Sequence, residues 1–331
     1  MGKVILFTSL IHNIFEYIDE TLKLLIHKEG SNDDERSKVL SIKVIMRMGL
    51  EEYFEDVLLC DRLKGCICNF AAGRGHLKTL IWAREHGCDW NPSTCQIAAK
   101  FGHLDILIWA RENGCPWNSG TCEAAAEYGH LDCLIWAREQ KCSWNHNLCY
   151  FAALGGQLHC LKWAREHGCE WSAKTCQGAA EGGHLDCLIW ARENGCQWDN
   201  WTCWSAAGDG HLDCLKWARE HGCDWNKWVC RVAAGEGHLD CLKWAREHGC
   251  EWDAETCSNA AKGGHLDCLI WAHEHGCKWY PTTICIEAAK GGHLDCLIWA
   301  YEHGCLLDPL IYDVAAEHIH IIIWMMSIKL E

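Results

Sequence analysis

Cys176, His184, Cys187 and Cys196 bring three thiols and an imidazole into one short stretch of chain. Structural zinc is held by four Cys and His donors, so these residue types form a zinc-like ligand set. The set is not confined to one place. A Gly-His-Leu tripeptide, or a near relative, is centred at His76, His103, His130, Gln157, His184, His211, His238, His265, His293 and His320. Successive centres lie 27 residues apart, except for 28 between His265 and His293, where Trp279 to Thr283 holds the extra residue. One metal per unit is the sharp reading. The competing reading is a core, because free Cys is among the most buried residues and packs as a small hydrophobe. No Cys-x-x-Cys pair occurs in the units. The core reading is preferred, and metal and disulfide readings stay open as alternatives. No metal ligand is assigned and no cofactor is expected. Cys68 shares the register of Cys95, while Cys60 and Cys66 have no assigned role.

These residues need elements to position them. A typical unit runs from Ala173 to Asn200, and its spacing predicts two short helices. The first covers Thr175 to Glu181, capped by Thr175 or by the preceding Asn/Asp position. Gly182-Gly183 breaks it. The second starts at His184-Leu185-Asp186, with Asp186 in the first turn, where the helix dipole favours an anion. Leu185, Leu188 and Ala191 share one face. Gly195 is placed as a left-handed residue just past the end. Helices this short are unstable alone in water, so each pair must stack on its neighbours. No strand signal is present. The expected fold class is all-α: a helix-turn-helix solenoid of about ten units over residues 65–331, behind a helical cap over residues 1–64.

The 331 residues include 27 Cys and 21 Trp, and repetition accounts for most of both. Hydrophobic residues at 49% and charged residues at 23% supply a core and argue against disorder. A formal net charge of −15 argues against a nucleic-acid backbone as main partner. No apolar run reaches the roughly 18 residues of a membrane span. Lys3 to Ile11 looks faintly like a secretory leader but has no small-residue cleavage site. Leu6 stands where N-myristoylation requires Ser or Thr. A reducing, cytoplasmic home is expected.

The run Ala-Ala-x-x-Gly-His-Leu-Asp, followed by Gly-Cys-x-Trp-Asn/Asp, resembles the ankyrin repeat. Lys174 to Ala180 covers the first part of that signature and Gly183 to Asp199 the second. Two features depart from the usual pattern of about 33 residues. The T-P-L-H tetrapeptide is missing, and roughly six residues are absent where ankyrin units form their β-turn finger. The chain is similar in this to the compact, Cys- and Trp-rich ankyrin variety of large-virus proteins. The resemblance implies an all-α repeat fold, buried apolar sites for Cys176, Cys187 and Cys196, and a structural His184. It also implies protein–protein interaction, in host cytoplasm if the protein is viral.

Seventeen Trp occupy two repeat positions, typified by Trp190 and Trp198, where stacked ladders between units are expected. Four fall off the pattern: Trp201, Trp204, Trp228 and Trp324. Trp201 and Trp228 share a position that is Ser93, Gly120, Asn147, Lys174 and Glu255 elsewhere, so it faces solvent. Trp204 shares a position with Gln96, Glu123, Tyr150, Gln177, Arg231 and Ser258. Phe151 follows Tyr150, and Phe101 and Tyr128 precede the glycine of their units. Aromatics on an exposed face are the compositional mark of a binding hot spot. Trp201, Trp204, Trp228, Tyr150, Phe151, Phe101 and Tyr128 are the candidate partner-binding residues.

At the N-terminus, helices are expected near 5–27, 36–47 and 49–60. Leu10 to Asp19 is similar to the front half of an F-box, with Phe7 where Pro is usual. That resemblance implies contacts from Leu10, Ile11, Ile14 and Phe15 to a Skp-family adaptor. The alternative is an amphipathic capping helix. At the other end, Ile319 to Ile328 is apolar and could mediate self-association. The Cys-His neighbours, such as His86 and Cys88, come from repetition of Glu-His-Gly-Cys, and no convergent catalytic set departs from the repeat. A non-catalytic interaction scaffold is the expected function. A ubiquitin-ligase adaptor and a metal-binding or redox repeat protein are the alternatives.

Overall fold

The structure, a computed structural model, describes residues 61–307 and 309–328. Every regular element among them is a helix, and the helices come in ten pairs. These are α1 (Asp61–Arg74) with α2 (Leu77–Glu85), α3 (Pro92–Lys100) with α4 (Leu104–Glu112), and α5 (Ser119–Glu127) with α6 (Leu131–Glu139). Next come α7 (Asn147–Leu154) with α8 (Leu158–Glu166), α9 (Ala173–Glu181) with α10 (Leu185–Glu193), and α11 (Asn200–Gly208) with α12 (Leu212–Glu220). Then follow α13 (Lys227–Gly235) with α14 (Leu239–Glu247), α15 (Ala254–Gly263) with α16 (Leu266–Glu274), and α17 (Pro281–Gly291) with α18 (Leu294–Glu302). The last pair is α19 (Leu310–Val314) with α20 (Ile319–Ile328). The second compact unit of the chain holds α3 to α20, whereas α2 and most of α1 belong to the first. Each pair has the helix-turn-helix build of an ankyrin-like unit. The nine in the second unit stack as a solenoid.

Within that stack the odd-numbered helices pack side by side, and the even-numbered ones stand further apart. Side-chain size explains the difference. The buried residues of α9 are Thr175, Cys176, Gly178, Ala179 and Ala180, all small. Backbones can therefore approach closely in the odd layer. The even helices bury Cys, Leu and Ala toward that layer, as Cys187, Leu188 and Ala191 do in α10. All the described thiols from Cys68 onward are buried, as the core reading expects.

The caps differ in one respect from expectation. Thr175 is not the cap: it lies inside α9, fully buried, and Ser172 is the N-cap. In other units the residue at this position accepts from the backbone two residues on, as Asp199 Oδ1 does from the Trp201 N–H at 3.1 Å. Gly195 has φ +89°, the left-handed conformation expected of it. Gly183 has φ +75°, and the ring of His211 from the next unit lies where a Cβ would sit. The recurrent His is thus a spacer between units. It stands at the N-cap position of its even helix without a side-chain cap bond, and its ring packs on the glycine of the preceding unit.

The last pair corrects the sequence register. His318, not His320, packs on Gly292, just as His293 packs on Gly264. His318 follows Cys305 by 13 residues, whereas His265 follows Cys250 by 15, so this turn is two residues short. Ile321 and Met325 consequently point into the core, and Trp324 is six residues past its His, as Trp299 is. Trp324 therefore belongs to the ladder series, and its ring meets Tyr301 edge-on at 5.7 Å.

Candidate functional site

The ligand set that looked zinc-like is not assembled. Among the described residues, no three His, Cys, Asp or Glu side chains converge to hold a metal ion. Instead the thiols divide by position. From α3 to α17, the thiol on the odd helix touches the one in the loop after the even helix, so Cys176 bonds to Cys196 and Cys203 to Cys223. Cys285 and Cys305 are joined as a disulfide, where a free thiol core was expected. The third thiol lies apart. Burial, then the Asp186 carboxylate, push Cys187 up to about 12.

The Trp ladders exist but are edge-to-face rather than stacked, and their rings are half-buried. Trp198 meets Trp217 of the next unit at 5.7 Å and 72°, and the same contact recurs from Trp117–Trp136 to Trp252–Trp271. Edge-to-face is the arrangement that ring quadrupoles favour. From α2 to α14 the last-turn Arg of the even helix covers the loop Trp. The Arg192 guanidinium lies 4.4 Å from the Trp198 ring and donates to the Cys196 carbonyl at 3.1 Å. A His closes the other side of several units: His221 stacks on Trp217 at 4.3 Å and its Nδ1–H donates to the Trp217 carbonyl at 2.8 Å. These rings are structural mortar and leave little face for a ligand.

The off-pattern aromatics are different. Trp201 and Trp228 are 52% and 53% exposed, and with half-buried Trp204 they line an apolar cleft of about 440 Å³. Trp201 and Trp204 are one turn apart on α11 and meet at 5.2 Å and 76°. Trp228 comes from α13, one unit on. Asn200 and Asn226 complete the rim. Arg231 lies 4.5 Å over Trp228, and both Arg231 and Lys227 are paired with Asp253. The two cations hold the Asp253 carboxyl below its ordinary value, and its single charge offsets one of the two positive charges beside the cleft.

The remaining candidates form two further groups, one on α7 and one at the C-caps of α3 and α5. Tyr150 and Phe151 are half-buried and meet edge-on at 5.2 Å. The Tyr150 hydroxyl donates to Glu181 at 3.0 Å, and burial and that carboxylate push it up to about 12. Phe101 and Tyr128 are exposed and share the Lys100 ammonium, which lies 4.5 Å from the Tyr128 ring. The ion-paired Lys227–Arg231–Asp253 group was not singled out from sequence. Arg231 sits in the same repeat position as Trp204, and that was the available signal. Leu10, Ile11, Ile14 and Phe15 lie outside the described residues.

Residues 203–246 match the family described as ankyrin repeats (many copies). The matched stretch covers most of the sixth and seventh helix pairs and includes Trp204 and Trp228. No curated protein matches the chain. The fold, with this partial match, is that of an all-α, ankyrin-like repeat solenoid with paired cysteines in its units.

Proposed function

We propose that the protein is a non-catalytic interaction scaffold that holds an extended, basic segment of a partner protein on its odd-helix face. One observation carries the reading: the three exposed-face Trp that depart from the repeat meet at one cleft. Such clustered aromatics anchor protein interfaces. Charge favours a basic occupant. The chain carries −15, and Glu181, Glu127 and Asp209 act on Tyr150. Cations already stack on aromatics of this face, as Arg231 does on Trp228 and Lys100 on Tyr128. A Lys or Arg of a partner would gain cation–π attraction in the same way. The test is titration of the full chain with fluorescent Lys/Arg-rich peptides. Trp201→Ala, Trp204→Ala and Trp228→Ala together should weaken binding at least tenfold with the helical circular dichroism unchanged. Equal binding by the folded triple variant removes the reading.

A second reading is kept on one observation, the similarity of Leu10 to Asp19 to the front of an F-box. It makes the N-terminal segment a Skp-family adaptor contact through Leu10, Ile11, Ile14 and Phe15. The repeats would then select the target. Co-purification of a Skp-family protein, lost on Ile14→Ala with Phe15→Ala, tests it. Both readings place the protein in cytoplasm, that of a host if the large-virus resemblance holds.

A further inference from the structure

Eight units, from α3 to α18, contain two thiols in direct contact. The pairs are Cys95 with Cys115 and, unit by unit, 122 with 142, 149 with 169, 176 with 196, 203 with 223, 230 with 250, 257 with 277, and 285 with 305. The first member sits on the odd helix. The second returns to it through the loop after the even helix, 20 residues on. In the pair Cys176 and Cys196, the Cys176 S–H donates to Cys196 Sγ, and the Cys196 S–H donates to the Ser172 carbonyl at 3.3 Å. Cys223 and Cys250 bond to the carbonyls of Asp199 and Asn226 in the same way, at 3.2 and 3.3 Å. In the pair that is joined, the Cα atoms are 6.8 Å apart, within the span a disulfide bridges. Seven of these units carry a third thiol, such as Cys187, which is hydrogen-bonded to the Asp186 carboxylate and has Cys214 of the next unit only as a longer-range electrostatic neighbour, with no hydrogen bond to a sulfur.

We infer that these pairs are oxidation sites, each closing to one disulfide within its own unit by exchange with a small-molecule disulfide. The step balances. The Cys196 thiolate attacks one sulfur of the small disulfide, breaks its S–S bond and expels one thiolate, giving a mixed disulfide. Cys176 loses its proton to solvent and attacks Cys196 Sγ, expelling the second small thiolate. Two electrons and two protons leave the pair, and the small disulfide becomes two thiols. Cys196 is the attacking member because the hydrogen bond from Cys176 holds its thiol below the ordinary value. It is also the member nearer solvent: it is a single buried residue between exposed Gly195 and Gln197, so a local opening of that loop uncovers it. Cys187 lies within the first turn of α10 and not in a loop. Each closed pair ties a loop to the odd helix at its unit's start and restricts the unfolded chain.

The test uses the full chain, fully reduced, then held folded in excess oxidised glutathione, alkylated and digested for mass spectrometry. The expected cross-links join only cysteines 20 residues apart. Cys133, Cys160, Cys187, Cys214, Cys241, Cys268 and Cys296 should remain alkylated, and the unfolding temperature should rise. Thiols that all stay reduced, or cross-links that include the Cys187 series, overturn the inference. Cys196→Ser checks it within a fold that keeps every other pair. It should lose only the Cys176 cross-link, and loss of cross-links throughout also overturns the assignment.

Discussion

Gly183 and Gly195 both adopt positive φ, +75° and +89°. Their surroundings separate them. An added Cβ at Gly195 meets nothing within 4 Å, whereas at Gly183 it overlaps the His211 ring. Gly195→Ala should therefore cost only the left-handed backbone, about 1–2 kcal/mol. Gly183→Ala should cost roughly 1–3 kcal/mol more, because His211 is packed and cannot move freely. Urea midpoints of the two variants check this, and equal midpoints would remove the spacer role of the histidine. The isolated thiols give a second residue-scale prediction. Burial raises Cys133, Cys160, Cys187, Cys214, Cys268 and Cys296 from 9.0 to about 12. A thiol with a raised folded pKa stabilises fully below the unfolded value and loses that contribution as pH rises through the folded one. Stability should thus fall between pH 9 and 12. For Cys187→Ala the decline should be shallower by about 1.4 kcal/mol per pH unit, the weight of one proton. Chemical denaturation at stepped pH measures it, and parallel declines would count against a thiol origin.

At the scale of elements, Trp198 is held between Arg192 of its own unit and Trp217 of the next. Because the ring is half-buried, Trp198→Ala should cost about 2–3 kcal/mol, less than the roughly 3–5 of a fully buried Trp. A double-mutant cycle with Arg192→Ala should show coupling of about 0.5–1 kcal/mol. Zero coupling would make the guanidinium's place over the ring incidental. The helix pairs themselves were legible in the sequence, since a 27-residue period with Gly-Gly breaks admits little else. Thiol burial was legible too, because Cys stood at apolar repeat positions. The Cys176–Cys196 contact was not. It depends on a loop folding back over its own helix, and no local spacing announces that. Trp324 was misplaced for a simpler reason. The turn after Cys305 is two residues short, so counting in fixed steps carried the register past His318. Moving Trp324 into the ladder leaves Trp201, Trp204 and Trp228 as the departures, and all three share one cleft. Their exposure was readable from the polar residues at the same positions, while their convergence needed the packing of α11 against α13.

For the molecule as a whole, the last pair raises a question of assembly. Internal units cover the outer residues of each even helix in part: Leu266 and Ile270 of α16 are half-buried. On α20 the equivalent Ile319 and Ile323 are 66% and 62% exposed, and Met326 is 57% exposed. Leu306 adds an open side chain nearby in sequence. This surface of α20 is apolar and open where the corresponding surface of α16 is half-covered. Contiguous exposed apolar surface of this kind drives association. We therefore expect the chain to associate with itself through α20, in a manner that deepens with concentration and survives high salt. Ile319→Glu with Ile323→Glu should abolish it without unfolding the pair, because Ile321 and Met325, which hold α20 to the core, are untouched. Sedimentation velocity across a concentration series compares the two forms. If both sediment as the same monomer, α20 is not a self-association surface. The Trp201 cleft lies several units away on the odd-helix face, so peptide binding should be equal in the associated form and in the double variant.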